Sequence, residues 1–338
     1  MNVVELFAGA GGSALGLEAA GFSHLACIEN DPDACETLRA AGLPCIEGDV
    51  RDPEIYESSW VGETLLWSSF PCQCWSTAGD RLGAQSDRNG WPWTVDAIDC
   101  LEPEWFAAEN VTGLRQHKGE CASGCLGPDE CPRSYFDNVI LAQLRERFAW
   151  VGWRVLDAAD FGVPQHRRRV ILVGGPRPIR WPEPTHGKET LQEDLFGRAA
   201  LPWVSVGRAL EVDGRVIGGG RNDSLPHRSP RTFRDLTDEP CTTIAASQVG
   251  NAGPWIESGG RRVEEPATGR RRLTVEECAT LQDFPPGHPF QGTKTSQYTQ
   301  VGNAVPPKLA EVVGRSIRFA AASETSTETL HPVVASGA

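Results

Sequence analysis

Short apolar runs alternate with stretches of helical periodicity through the first half of the chain, the pattern of a parallel α/β sheet. Strands are predicted near 3–7, 24–29, 44–47, 64–69, 104–109, 153–157 and 169–174, and helices over 13–20, 32–41, 94–100 and 135–148. From about residue 178 the pattern changes. Pro, Gly and Arg become frequent, helical periodicity fades, and short β-like pieces such as 203–206 and 242–246 replace it. Helical character returns at 274–281 and 307–321, and a Ser-, Thr- and Ala-rich tail from Ser323 is expected to be disordered.

Composition narrows the class. With 338 residues, 36 Gly and 25 Pro, the chain reads as a loop-rich globular protein of one large or two unequal domains. It lacks a run of eighteen apolar residues and an N-terminal basic-then-apolar leader, so no membrane span or secretory signal is expected. The eleven cysteines are odd in number and scattered through apolar patterns, as reduced thiols of a cytoplasmic protein are. The net charge of −13 argues against a nucleic-acid partner until its distribution is considered. Residues 151–272 hold 19 Lys+Arg against 15 Asp+Glu, a balance of +4; the remainder holds 13 against 30, a balance of −17. An acidic body with a basic middle section is compatible with DNA binding through one face.

Two groups of residues suggest chemistry. Phe7-Ala8-Gly9-Ala10-Gly11-Gly12 follows a strand and opens a helix, Glu29 closes the next strand, and Asp49 ends the third. Glycines there bring backbone close to a ligand, and an acid at the second strand end suits ribose hydroxyls. The set implies an adenosine-containing cofactor without separating nicotinamide from methionine-derived ones. The second group lies at later strand ends. Cys72 follows the strand at 64–69, Glu109-Asn110-Val111 closes another, and Gln165-His166-Arg167-Arg168-Arg169 precedes a third. A thiol, a carboxyl and guanidinium groups at one sheet edge can add a nucleophile to carbon 6 of cytosine while nitrogen 3 and the carbonyl oxygen are held, which activates carbon 5 toward a methyl sulfonium.

These residues, in this order, resemble the DNA cytosine-5 methyltransferases from residue 3 to about 312. The likeness rests on Phe7 to Gly12, Glu29-Asn30, Asp49, Pro71-Cys72-Gln73 with Ser76, Asp87-Arg88, Glu109 to Val111, and Gln165, Arg167 and Arg169. It continues through Arg271, Leu273, Thr274, Glu277, Leu281, Gln282, Phe284 and Pro285 to the run Gln300 to Pro307. The resemblance implies a Rossmann-like S-adenosylmethionine-dependent sheet with helices on both faces and a smaller, irregular, β-containing target-recognition domain. Residues 1–177 would form the catalytic and cofactor domain, 178–270 the recognition domain and 271–322 the return to the first. It implies that Phe7, Gly9, Gly11, Gly12, Glu29, Asn30, Asp49, Val50, Pro71, Asn303 and Val305 serve the cofactor. Cys72 would be the nucleophile on a flipped-out cytosine, Glu109 would meet nitrogen 3 and Arg167 oxygen 2, with Gln73, Ser76, Gln165 and Arg169 around the substrate.

The implied partner is duplex DNA, with a restriction endonuclease as a functional companion and the chain acting as a monomer. Transfer RNA methylation and a nicotinamide oxidoreductase are the alternatives. Arg221, Arg228 and Arg231 are candidates for base or phosphate contact. Two departures stand out. Phe70 occupies the place where the family has the first Pro of Pro-Pro-Cys, and an insertion after Val111 contains His117, Cys121, Cys125 and Cys131. That insertion offers a zinc set; the alternative is a polar loop with free thiols.

Overall fold

The computed structural model describes residues 1–62, 64–71, 86, 88–115, 134–188, 200–211, 215–218, 234–244, 255–257 and 270–323. The central strands at 2–6, 64–68 and 105–111 are near-continuous buried runs, as strands covered on both faces must be, and the strand at 45–47 is only partly covered. The first strands are β1 (Asn2–Leu6), β2 (Ser23–Glu29), β3 (Cys45–Glu47), β4 (Thr64–Ser68) and β5 (Trp105–Val111), followed by β6 (Trp150–Asp157), the short β7 (Gln165–His166) and β8 (Arg168–Gly175). Seven of them form one sheet in the order β3-β2-β1-β4-β5-β8-β6. All neighbours are parallel except β8, which runs antiparallel to both β5 and β6. The order reverses between β1 and β4, so a crevice opens at their carboxyl ends.

Helices α1 (Gly12–Ala19), α2 (Pro32–Ala40), α3 (Trp91–Leu101) and α4 (Ala142–Arg147) cover the sheet, α4 being preceded by a π-helical turn, Phe136–Leu141. Local chemistry sets their ends. Asp31 caps α2 by accepting from the Ala34 amide at 3.0 Å. Gly11 opens α1 at φ 82°, a left-handed conformation that a side chain would strain.

The middle of the chain adds β9 (His186–Gly187), β10 (Leu201–Pro202), α5 (Val206–Leu210), β11 (Arg215–Gly218), β12 (Arg234–Asp235), β13 (Cys241–Thr242), β14 (Trp255–Glu257) and β15 (Arg270–Arg272). Four of these form a separate antiparallel sheet, β12-β11-β14-β15. The β-like reading of 203–206 is corrected: Ser205 caps α5 by accepting from the Arg208 amide, and Val206 begins a helix. The chain then forms α6 (Val275–Leu281), α7 (Lys294–Asn303) and α8 (Pro307–Ala322). Helix α7 was not anticipated, because Lys-Thr-Ser-Gln-Tyr-Thr-Gln has no apolar stripe; Thr293 caps it by accepting from Ser296 N at 3.2 Å.

Helix α8 buries Leu309, Ala310, Val313, Gly314, Ile317 and Ala320 along one face, the spacing of an amphipathic helix. That face packs with Val3, Leu17, Phe22, Trp67 and Trp105. Burial of each large aliphatic side chain there contributes roughly 1.5–3 kcal/mol. A Cβ on Gly16 would collide with the Pro307 carbonyl, and one on Gly12 with the Val305 carbonyl. These two glycines let the returning chain lie directly against α1. Among the described residues no helix is long and apolar enough to cross a membrane.

Candidate active site

A cavity of about 230 Å³ opens at the carboxyl ends of β1, β2 and β4, lined by Phe7, Ile28, Glu29, Asn30, Gly48, Asp49, Val50, Arg51, Pro71 and Trp93. Six of the expected cofactor residues share this wall: Phe7, Glu29, Asn30, Asp49, Val50 and Pro71. The Glu29 carboxylate is fixed by three backbone amides, accepting from Gly9 N and Asn30 N at 2.8 Å and Asp31 N at 2.9 Å. Phe7 holds φ 56°, unusual for a bulky residue, at the edge of the glycine turn. The Arg51 guanidinium, hydrogen-bonded to Asp49, holds its carboxyl below the usual carboxylate range. The same guanidinium lies 5.2 Å from the Trp93 ring centroid. Arg51 and Trp93 were missed in the sequence, where an arginine two residues after Asp49 and a tryptophan on a helix give no signal of their own.

The other expected cofactor residues act at one remove. Gly9 donates to Glu29, and Gly11 sets the helix start. Gly12 meets the Val305 carbonyl, while the Val305 side chain is buried in the core beneath α8. Asn303 is exposed and offers its carbonyl to Arg167 at 3.4 Å.

The loop after β4 is tethered where it enters the cavity. Asn110, buried at the end of β5, donates Nδ2–H to the Phe70 carbonyl at 3.0 Å. Phe70 packs its ring edge-on against Trp91 at 5.6 Å between centroids, so the departure from Pro-Pro-Cys exchanges a rigid ring for an aromatic anchor in the core. Gly90 permits this approach: a Cβ there would stand 2.7 Å from Pro71 Cδ and 3.0 Å from Phe70 Cβ. Cys72 follows Pro71 in the chain and, with Gln73 and Ser76, lies outside the described residues.

Glu109 and Arg169 meet across β5 and β8. Arg169 Nε stands 2.6 Å from Glu109 Oε1, with both side chains about nine-tenths buried. Arg167, expected beside the base, is enclosed by protein. Its side chain is fully buried, and it donates to the Ile244 carbonyl at 2.9 Å and the Gly302 carbonyl at 3.0 Å. Arg167 lies between β7 and β8, and Arg169 lies within β8. Their partners separate them, because the Ile244 and Gly302 carbonyls converge on Arg167 alone.

Gln165 is likewise buried rather than open to substrate. It donates to the Leu281 carbonyl at 3.1 Å and to Gln282 Oε1, and accepts from Ile244 N at 2.9 Å. Gln282 in turn donates to the Ala304 carbonyl at 2.6 Å. The Gln-x-Arg segment thus joins β7, the end of the middle section and the C-terminal run into one hydrogen-bonded joint. Arg221, Arg228, Arg231, His117, Cys121, Cys125 and Cys131 lie outside the described residues.

Residues 1–197 and 220–318 match the family described as C-5 cytosine-specific DNA methylase. The chain belongs to this family. It is 35% identical to the Type II methyltransferase M.NaeI of Lentzea aerocolonigenes, over 95% of this chain and 75% of that protein. It is 34% identical to the Type II methyltransferase M.NgoMIV of Neisseria gonorrhoeae, over 93% and 96% respectively. The fold is similar to that of the Entamoeba histolytica methyltransferase EhMeth, with a TM-score of 0.64 and 13% identity over 95% of this chain and 98% of that one. Family membership removes the nicotinamide oxidoreductase reading, which left Glu109-Asn110 and the C-terminal run without roles.

Proposed function

We propose that this family member methylates carbon 5 of cytosine within a specific duplex DNA sequence, with S-adenosylmethionine as methyl donor and Cys72 as a covalent nucleophile. The observation that carries this reading is the buried Glu109–Arg169 pair, next in the chain to Asn110, which holds the Phe70 carbonyl one residue before the cavity-lining Pro71. The cavity's chemistry fits the cofactor. Phe7 and Trp93 offer apolar faces for a purine, Glu29 an acceptor for ribose hydroxyls and Asp49 an acceptor for an exocyclic amine. When bound, S-adenosylmethionine supplies an electrophilic methyl group.

The chain's own residues do the rest. The Cys72 thiolate adds to carbon 6 of a cytosine flipped out of the stack, since neither carbon can be reached inside the duplex. Glu109 holds a proton at nitrogen 3, drawing ring electrons away from carbon 6 and favouring addition. Arg169 holds the carbonyl oxygen at carbon 2 as negative charge develops there. Arg167 keeps the joint beneath them in place. After methyl transfer a base removes the carbon 5 proton, and the thiolate is expelled.

The section 178–270 would read the DNA, and the relatives named as Type II methyltransferases favour a modification enzyme that protects sites from a companion endonuclease. The test supplies labelled S-adenosylmethionine with mixed-sequence duplex DNA and, in parallel, total transfer RNA. The expected product is 5-methylcytosine in DNA, abolished by Cys72→Ala while cofactor binding remains within a few fold. Label in RNA alone, or wild-type methylation by Cys72→Ala, would overturn the reading.

A further inference from the structure

One buried cluster lies outside the methyl-transfer site, on the face of the sheet covered by α1. Glu5 on β1 and His24 and Cys27 on β2 bring a carboxylate oxygen, an imidazole nitrogen and a sulfur within 4.8 Å of one another. The side chains of Glu5 and His24 are 0% exposed, and Glu5 Oε2 lies 3.4 Å from His24 Nε2. Cys27 is buried as well. Two residues three apart on a strand ordinarily face opposite sides. Here the register shifts: Val3 pairs with His24 but Val4 with Ala26, leaving Leu25 as an extra residue. The bulge turns His24 onto the face of Cys27 and Glu5.

The polar atoms of this cluster are left over. Among the described residues, Glu5 Oε2 and both ring nitrogens of His24 make no hydrogen bond, which is rare for buried groups and costly to maintain. Glu5 is held from one side only, its Oε1 accepting from the Ser13 hydroxyl at the head of α1. From these observations we propose that Glu5, His24 and Cys27 bind a divalent cation of the zinc class as a structural brace.

The donor set suits that ion. Imidazole and thiolate favour zinc over magnesium or calcium, and carboxylate oxygen completes a common ligand mixture. One carboxylate and one thiolate together neutralise a doubly charged ion, so the buried site would carry no net charge. Zinc ligands at 2.0–2.3 Å stand roughly 3.5 Å from one another in a tetrahedron. Glu5 and His24 already do, at 3.4 Å, and the Cys27 sulfur lies within 4.8 Å of both. On the far side of the ring, half-exposed Glu18 stands 4.0 Å from His24 Nδ1. A carboxylate there orients a metal-bound imidazole from outside the coordination sphere. The bound ion would tie β1, β2 and α1 together directly beneath the glycine turn that shapes the cofactor cavity.

The test uses the full chain, freed of metal, with Cys121, Cys125 and Cys131 replaced by Ser so that no thiolate of that insertion competes. Titration with Co²⁺ is expected to saturate at one equivalent, giving the near-ultraviolet thiolate-to-cobalt absorption. Added Zn²⁺ should bleach it. Cys27→Ser in the same background should lose the thiolate absorption. Glu18→Gln, at a position open to solvent, should fold normally and weaken Co²⁺ binding by about 10–100-fold. Absence of saturable binding overturns the proposal, as does an absorption that survives Cys27→Ser. If Cys27→Ser does not fold, unchanged Co²⁺ affinity in Glu18→Gln overturns it as well.

Discussion

Replacing Arg167 and Arg169 in turn by lysine separates the two arginines that the sequence presents as a pair. Lysine keeps the charge but is a single point, whereas guanidinium spans two acceptors at fixed angles. Arg167 donates to two buried carbonyls, of Ile244 and Gly302, at 2.9 and 3.0 Å. An ammonium can reach one of them. The loss is one hydrogen bond from a charged donor, about 1.5–3 kcal/mol, plus a carbonyl left without its partner. At about 2 °C or more per kcal/mol for a large domain, the melting temperature should fall by at least 3 °C or so. Methyl transfer per folded molecule should stay within a few fold, because the proposed mechanism gives Arg167 a role in the buried joint rather than at the base. Arg169→Lys leaves a positive charge opposite Glu109 and should hardly change the melting temperature. It removes the planar donor held toward the base and should lower kcat by roughly 10²-fold, the scale of one lost donor to a developing oxyanion. Differential scanning fluorimetry and single-turnover methylation of a cognate duplex report the two quantities. An Arg167→Lys protein with unchanged melting and a hundredfold loss of turnover would refute the assignment.

Asn110→Ala removes the tether on the Phe70 carbonyl; turnover should fall about tenfold or more, as for a misplaced reacting group, with cofactor affinity little changed by calorimetry. Gly90→Ala puts a methyl group 2.7 Å from Pro71 Cδ, so the cavity wall must shift, and the KM for S-adenosylmethionine should rise at least several fold in steady-state assays. Asp283 adopts φ 69° and accepts from Lys308 N at 2.9 Å, and burial pushes its carboxyl up to about 6. The unfolded value is about 3.9, so the folded state favours the proton; a penalty builds as pH rises from about 4 to about 6 and is full above it. Asp283→Asn keeps the acceptor and suits the left-handed backbone, so it should stabilise the protein by about 1–2 kcal/mol at pH 7.5, with a smaller gain at pH 5 in urea denaturation. Equal gains at both pH values would contradict the pKa argument.

Much of the fold was legible because the signals are local. Buried parallel strands demand unbroken apolar runs, and those at 3–7, 24–29 and 64–69 emerge as β1, β2 and β4 within a residue or so. The glycine turn announces itself because the left-handed φ of 82° at Gly11 favours glycine. Acids at the ends of consecutive parallel strands must meet at one edge, which is why Glu29 and Asp49 share a cavity. Helix α7 was hidden because its stability comes from a cap and from packing around Gln300 and Val301 rather than from a periodic apolar stripe. The Phe70 departure could not be interpreted until Trp91, from the start of the next helix, was seen against it.

The amino-acid order alone determined the class of sheet, the place of the cofactor turn and the set of groups available for cytosine chemistry, because each depends on residue type and neighbours a few positions away. The division of labour within Gln165, Arg167 and Arg169 was decided only by the tertiary structure. Those side chains differ in role because carbonyls from Ile244, Leu281 and Gly302, distant in the chain, converge on two of them and leave the third to Glu109. The buried meeting of Glu5, His24 and Cys27 is of the same kind: a single bulge residue, Leu25, reverses the face a strand presents, and strand alternation read from the sequence places them apart.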